Sequence, residues 1–241
     1  MVVFYFKCSK NDDLRKCASL VDNGSIVIFP TDTVYGIGCD PLNRTSVLKL
    51  FKIKKRSLDK YLPILTNNVS NLTNLVEFTK NAEKLTKHFW PGPLTLVLKI
   101  KENSALDSNR YAFDKTVAIR IPNNKYTINL IQMTQNKLLI GTSANLSKQQ
   151  PLINLRDLDS CNLQGYDAIV DGDECSSSSF VSPPISSSSS YPSSFLSNKS
   201  KNLINTIPVS TIIDLTDSNC PKIIREGVIS KEEIFALLKK E

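Results

Sequence analysis

The chain has 241 residues, 41% of them hydrophobic, and carries 30 Lys and Arg against 23 Asp and Glu, a net charge of +7 at pH 7. That length buries a substantial core in one domain, and the basic excess fits nucleic acid, nucleotide phosphates or a plain basic surface without choosing among them. Six cysteines with no C-x-x-C pair and one histidine exclude a zinc-ligand spacing, and no apolar run approaches the ~18 residues of a membrane span.

The elements alternate along the chain. "VVFYF" reads as a strand, followed by a helix capped by Asp12 or Asp13, with Leu14, Cys17, Ala18 and Val21 on one face and Gly24 as its stop. "SIVIF" is a buried strand, and the next helix carries Val47, Leu48 and Phe51. "LPILT" is a strand, and Ala82, Leu85 and Phe89 mark a helix that ends at "WPGP". "LTLVLKI", "TVAIRIP", "KLLIGTS", "YDAIVD", "STIIDL" and "KIIRE" are short β-branched or apolar runs, each expected as a strand. The last helix, "SKEEIFALLKK", opens on a capping box of Ser230 and Glu233. The expected fold class is α/β, one twisted mixed sheet with flanking helices, in a single domain over residues 1–241.

A serine-rich insertion at about 173–205 interrupts that domain. Its stretch "DECSSSSFVSPPISSSSSYPSSFLSNKSK" has fourteen serines and three prolines and builds no core of its own. It reads as a flexible surface insertion, or as a lid in which Phe180, Tyr191, Phe195 and Leu196 supply the apolar contacts. The scattered thiols and the short apolar N-terminus point to a reducing, cytoplasmic setting with no membrane association.

Several familiar chemistries are missing from the sequence. It has no G-x-x-x-x-G-K-[ST] loop and no G-x-S-x-G elbow, and "GIGCDP" lacks the third glycine of a dinucleotide loop. His88 lies at a helix end, where a structural or solvent-facing imidazole is the expected role, so hydrolase chemistry with a histidine base is not supported.

What remains is a set of polar pairs spaced two apart: Thr31 and Thr33, Lys54 and Arg56, Ser143 and Asn145. In extended backbone such residues share one side, so each pair would aim two side chains into one cleft. Lys54 and Arg56 belong to "KKRSLDK", whose cations are either a surface charge run or half of an anion site. Arg120, inside the apolar strand "AIRIP", must face water, a partner or a ligand.

The blocks "FPTDTVYGIGCDP", "KIKKRSLDKYLPIL", "WPGPLTLVL", "VAIRIPN", "GTSANLS", "STIIDL" and "IIREGVIS", in this order, resemble the YrdC-type threonylcarbamoyl-AMP synthases in their single-domain form. The resemblance implies a twisted α/β fold around a basic cavity. It implies synthesis of L-threonylcarbamoyl-adenylate from L-threonine, bicarbonate and ATP, with release of pyrophosphate, for tRNA threonylcarbamoyladenosine. By the same resemblance Lys54, Arg56, Ser143, Asn145 and Arg225 hold ATP with its Mg²⁺, and Thr31, Arg120, Thr142 and Ser210 hold threonine. A downstream threonylcarbamoyl-transferase and tRNA or double-stranded RNA are the implied partners. Family members often have glycine or proline beside the arginine of the K-x-R motif, where this chain has Lys55 and Ser57.

The chemistry so implied needs no protein nucleophile, and no residue is assigned as general base. Two other readings of the same fold are a non-catalytic module for double-stranded RNA or tRNA, and a carbamoyl-transfer domain like that of hydrogenase-maturation proteins. The latter carry cysteine modules that this chain lacks.

Overall fold

The structure, a computed structural model, describes residues 2–57, 62–106, 115–147, 149–172 and 209–239. The serine-rich insertion, Cys175 and Lys60 lie outside the described residues. Strands in chain order are β1 (Phe4–Lys7), β2 (Val27–Phe29), β3 (Gly36–Gly38), β4 (Ile64–Thr66), β5 (Leu94–Lys99) and β6 (Thr116–Arg120). They continue with β7 (Leu138–Ile140), β8 (Thr142–Ser143), β9 (Ala168–Asp171), β10 (Thr211–Asp214) and β11 (Lys222–Arg225). The α-helices are α1 (Asn11–Asp22), α2 (Arg44–Ile53), α3 (Lys80–Phe89), α4 (Lys125–Met133) and α5 (Lys231–Lys239).

In place of the one sheet expected there are two, both mixed: five strands in the order β1-β9-β2-β3-β8 and six in the order β11-β10-β5-β6-β4-β7. The run "KLLIGTS" is the reason. Its Leu138–Ile140 part pairs with β4, and after Gly141 its Thr142–Ser143 part pairs with β3 in the other sheet. One apolar run therefore stitches the two sheets together. Gly38 permits the crossing, because a Cβ there would stand 1.5 Å from the main-chain oxygen of Ile140.

Period-two alternation gives the six-stranded sheet two unlike faces. Leu94, Leu96, Leu98, Val117, Ile119 and Ile213 belong to the main core. Thr95, Val97, Ala118, Arg120, Ser210 and Ile212 belong to a cavity. A second apolar cluster joins Leu14, Cys17, Ala18 and Val21 of α1 to Leu130 and Ile131 of α4 and to Val27, Ala168 and Val170 of the five-stranded sheet.

Local rules explain most elements. The Ser230–Glu233 capping box forms, with Ser230 N–H donating to Glu233 at 2.9 Å and Glu233 N–H to Ser230 Oγ at 3.3 Å. The α1 start differs from expectation: Lys10 is the N-cap, and Asp13 instead accepts from the Lys7 N–H at 2.9 Å. Helix α4 has no counterpart among the expected elements. Asn124 caps it, accepting from Tyr126 and Thr127 N–H, but β-branched Thr127, Ile128 and Ile131 weaken the helical signal of its sequence.

No described helix is long and apolar enough to cross a membrane. Cys8, Cys17, Cys39, Cys161 and Cys220 are free thiols, the first three buried.

Candidate functional site

Strands β5, β6 and β10 supply the floor of a cavity of about 400 Å³. The loop at 31–36 and the turn at 141–143 close it from the side of the other sheet. Seven of the nine residues expected to bind ligands line it: Thr31, Arg56, Arg120, Thr142, Ser143, Ser210 and Arg225. Lys54 and Asn145 do not reach the described lining and lie directly behind Ser143.

The Lys54–Arg56 segment is not extended, so the two side chains are not brought together by strand spacing. It is a helix C-terminus: Lys55 N–H donates to Lys52 O and Arg56 N–H to Phe51 O, with Lys55 in the left-handed region at φ 47°. This double hydrogen bond turns the chain sharply after α2 and sends Lys54 inward and Arg56 to the cavity.

Lys54, expected to aim into the cleft beside Arg56, is 1% exposed and lies outside the described cavity lining. Its ammonium donates to the main-chain oxygens of Ser143 and Asn145 and to Asn145 Oδ1. Burial, and then the Arg56 charge, lower its pKa to about 7. Lys54 thus braces the turn that carries the two polar side chains. Ser143 Oγ donates to Asn145 Oδ1 at 2.6 Å, and Asn145 Nδ2 donates to Gln149 O at 2.6 Å, which fixes the orientation of both.

At the opposite wall Arg120 is 7% exposed and already engaged. Its Nε donates to Gly92 O at 2.9 Å, Nη1 to Thr33 Oγ1 at 3.4 Å and Nη2 to Asp32 Oδ1 at 2.6 Å. Thr31 tightens the same loop, donating to Val34 O at 2.6 Å and accepting from Thr33 N–H at 3.1 Å. Its hydroxyl is therefore spent on the loop, although the residue lines the cavity.

Arg225 donates through Nε and Nη2 to Ser210 O, at 3.1 and 2.7 Å, and through Nη2 to Ser210 Oγ at 3.0 Å. Thr95 Oγ1 donates to the same Ser210 Oγ at 3.0 Å. Burial, then the charges of Arg120 and Arg56, push Arg225 below the ordinary arginine value. Three guanidiniums thus share one cavity closely enough to feel one another, an arrangement that invites a polyanion.

Sequence reasoning missed Asp32 and Thr95 as site residues. Thr95 left a faint trace, a hydroxyl inside the leucine and valine run of β5. Asp32 left none, because an aspartate in "PTDT" reads as ordinary turn chemistry.

Known proteins resemble the chain in sequence and in fold. The Sua5/YciO/YrdC family, described as "Telomere recombination", matches residues 19–184. A threonylcarbamoyl-AMP synthase of Pyrococcus abyssi is 33% identical over 168 residues, 67% of this chain and 47% of the relative. One of Wigglesworthia glossinidia brevipalpis is 31% identical over 161 residues, 66% of this chain and 81% of the relative. The crystal structure of P. abyssi Sua5 complexed with L-threonine superposes with a TM-score of 0.77 at 27% identity, covering 100% of this chain and 62% of that one. The chain therefore spans about half the length of the Pyrococcus sequence it matches.

Proposed function

The chain belongs to the Sua5/YciO/YrdC family, and from that premise we propose that it is an enzyme making L-threonylcarbamoyl-adenylate from L-threonine, bicarbonate and ATP, with release of pyrophosphate. The observation that carries this reading is the convergence of Arg56, Arg120 and Arg225 with Thr142, Ser143 and Ser210 in one cavity. At about 400 Å³ it has the size of a small-molecule site.

Arg56 and Arg225 take the phosphates, with Ser143 and, behind it, Asn145 ordering the nucleotide side. Lys54 serves that side through its brace. Arg120 takes the amino acid's carboxylate, flanked by Thr31, Thr142 and Ser210. Mg²⁺ enters with the triphosphate. The described lining has no carboxylate, so the triphosphate oxygens would hold the ion, which would supply further neutralisation of phosphate charge.

Bicarbonate loses hydroxide, as water with the proton given up by threonine's ammonium, to give carbon dioxide. The neutral amine then forms a C–N bond to its carbon while one C=O π pair moves onto oxygen, and loss of a second amine proton leaves a carbamate. A carbamate oxygen then bonds to the α-phosphorus, and the bond to the pyrophosphate oxygen breaks. The protein's part is positioning and stabilisation of charge on the phosphoryl oxygens. The product would serve tRNA threonylcarbamoyladenosine formation through a separate transferase.

Incubation with ATP, L-threonine and ¹³C-bicarbonate, followed by mass spectrometry, tests the reading. The adenylate is expected to carry the label. Formation of AMP or ADP with no labelled adenylate would overturn it.

A further inference from the structure

The floor of the cavity carries one row of side chains across four strands. Thr95 of β5 pairs with Ile212 of β10, which in turn pairs with Arg225 of β11. On the other side, one step beyond the Leu96–Ile119 pair of the antiparallel β5–β6 ladder, Thr95 comes opposite Arg120. All four residues line the cavity. The row therefore runs from the guanidinium assigned to the amino acid's carboxylate to one assigned to phosphate, with Thr95 between them.

Ser210, just before β10, bridges the middle of that row. Its Oγ accepts from Thr95 Oγ1 and from Arg225 Nη2, both at 3.0 Å. A hydroxyl oxygen has two lone pairs, so both are taken and only its O–H remains to be used. Ser210 is 7% exposed and Thr95 1%. Among the described residues none accepts the Ser210 proton, which leaves the cavity it lines as the place for an acceptor.

We propose that Thr95 is a positioning residue: by donating to Ser210 it locks that hydroxyl as a donor towards the carbamoyl oxygen lying between the amino acid and the α-phosphate. The inference rests on the adenylate-forming reading above. Before carbon dioxide is captured, threonine presents an ammonium at this point, a donor that finds no acceptor in Ser210. After capture it presents a carbamate, whose oxygens only accept. The locked hydroxyl thus favours the carbamate over the free amino acid, and it faces the oxygen that gains an electron pair as the C–N bond forms. A Thr95 that only filled space would leave Ser210 free to turn and accept, and the two forms would be held alike.

The test uses Thr95→Val, which keeps the shape and loses the hydroxyl, and Thr95→Ser, which keeps the hydroxyl, with thermal unfolding as the check on folding. For Thr95→Val, kcat/KM for bicarbonate is expected to fall roughly tenfold, the size of one hydrogen bond to a charged oxygen. Calorimetric binding of L-threonine without bicarbonate should be unchanged or tighter. Thr95→Ser should restore the bicarbonate kinetics. In a Ser210→Ala background the Thr95→Val change should cost nothing further, because Thr95 acts through Ser210. Unaltered bicarbonate kinetics in Thr95→Val, a parallel loss of L-threonine binding, or an equal loss in both backgrounds would overturn the inference.

Should Thr95→Val fail to fold, the wild type answers through two ligands of similar length. N-acetyl-L-threonine puts a carbonyl oxygen at the carbamoyl position, whereas N-ethyl-L-threonine puts none there and keeps the ammonium. The first is expected to bind roughly tenfold tighter, and equal binding or the reverse order overturns the proposal. A wild type that makes no adenylate would sink the reaction assigned above, whereas this ligand comparison judges the hydroxyl pair separately.

Discussion

The Lys54 ammonium donates to the main-chain oxygen of Asn145 at 2.9 Å and to its Oδ1 at 3.3 Å. A cation from the end of one helix thereby holds the polar turn between the two sheets. It separates two residues whose spacing suggested one shared role: Arg56 faces the cavity, while Lys54 supports the wall behind it.

Alanine substitutions should divide along that line. Arg56→Ala is expected to leave the unfolding free energy within about 1 kcal/mol of wild type while weakening ATP binding by roughly tenfold to a hundredfold, the range for a lost charge-assisted contact. Lys54→Ala removes a buried stem and strands the oxygens it served, and should cost about 2–4 kcal/mol of stability as well as nucleotide affinity. Urea unfolding and ATP titration of both variants provide the check. Equal stability losses at the two positions would contradict the division of roles.

Lys55 stands at φ 47°, where a side chain is strained and glycine is not. Lys55→Gly should therefore stabilise the chain by about 1 kcal/mol in urea unfolding. Its side chain is exposed and is not part of the described cavity lining, so ATP affinity should not change.

The Lys54 pKa carries a pH signature. Burial lowers it from 10.5 to about 7, so between those values the unfolded chain binds the proton that the folded chain releases. Stability must then rise with pH from about 7 towards 10, as the cost of the buried charge is relieved, and show no pH dependence from this group below about 7, with a slope of at most about 1.4 kcal/mol per pH unit. Lys54→Met, which keeps most of the stem and cannot titrate, should lack this rise. Urea unfolding of the two proteins at pH 7 and pH 9 measures the difference; identical pH dependence would mean that Lys54 titrates normally.

Much of this architecture is legible in the sequence because the strands are short and apolar and most helices are capped or strongly periodic. The apolar stripe of Leu14, Cys17, Ala18 and Val21 and the Ser230–Glu233 box read directly, since both depend on neighbours a few residues apart. Division into two sheets does not read, because "KLLIGTS" looks like one strand and only the close approach of Gly38 to Ile140 shows that the chain changes partners at Gly141. The site follows the same pattern. Of the residues marked by short motifs, Arg56 and Ser143 line the cavity, while their motif partners Lys54 and Asn145 stand behind its wall. Contacts that join distant segments, Asp32 with Arg120 and Thr95 with Ser210, exist only once the strands have paired.

The most direct test of the central claim is the rate of pyrophosphate release from ATP, measured with L-threonine and bicarbonate each present or withheld. If the cavity assembles a threonine carbamate and aims it at the α-phosphate, release requires both, and omission of either reduces it to background. Pyrophosphate release that continues unchanged without threonine, or in carefully degassed bicarbonate-free buffer, would contradict the account.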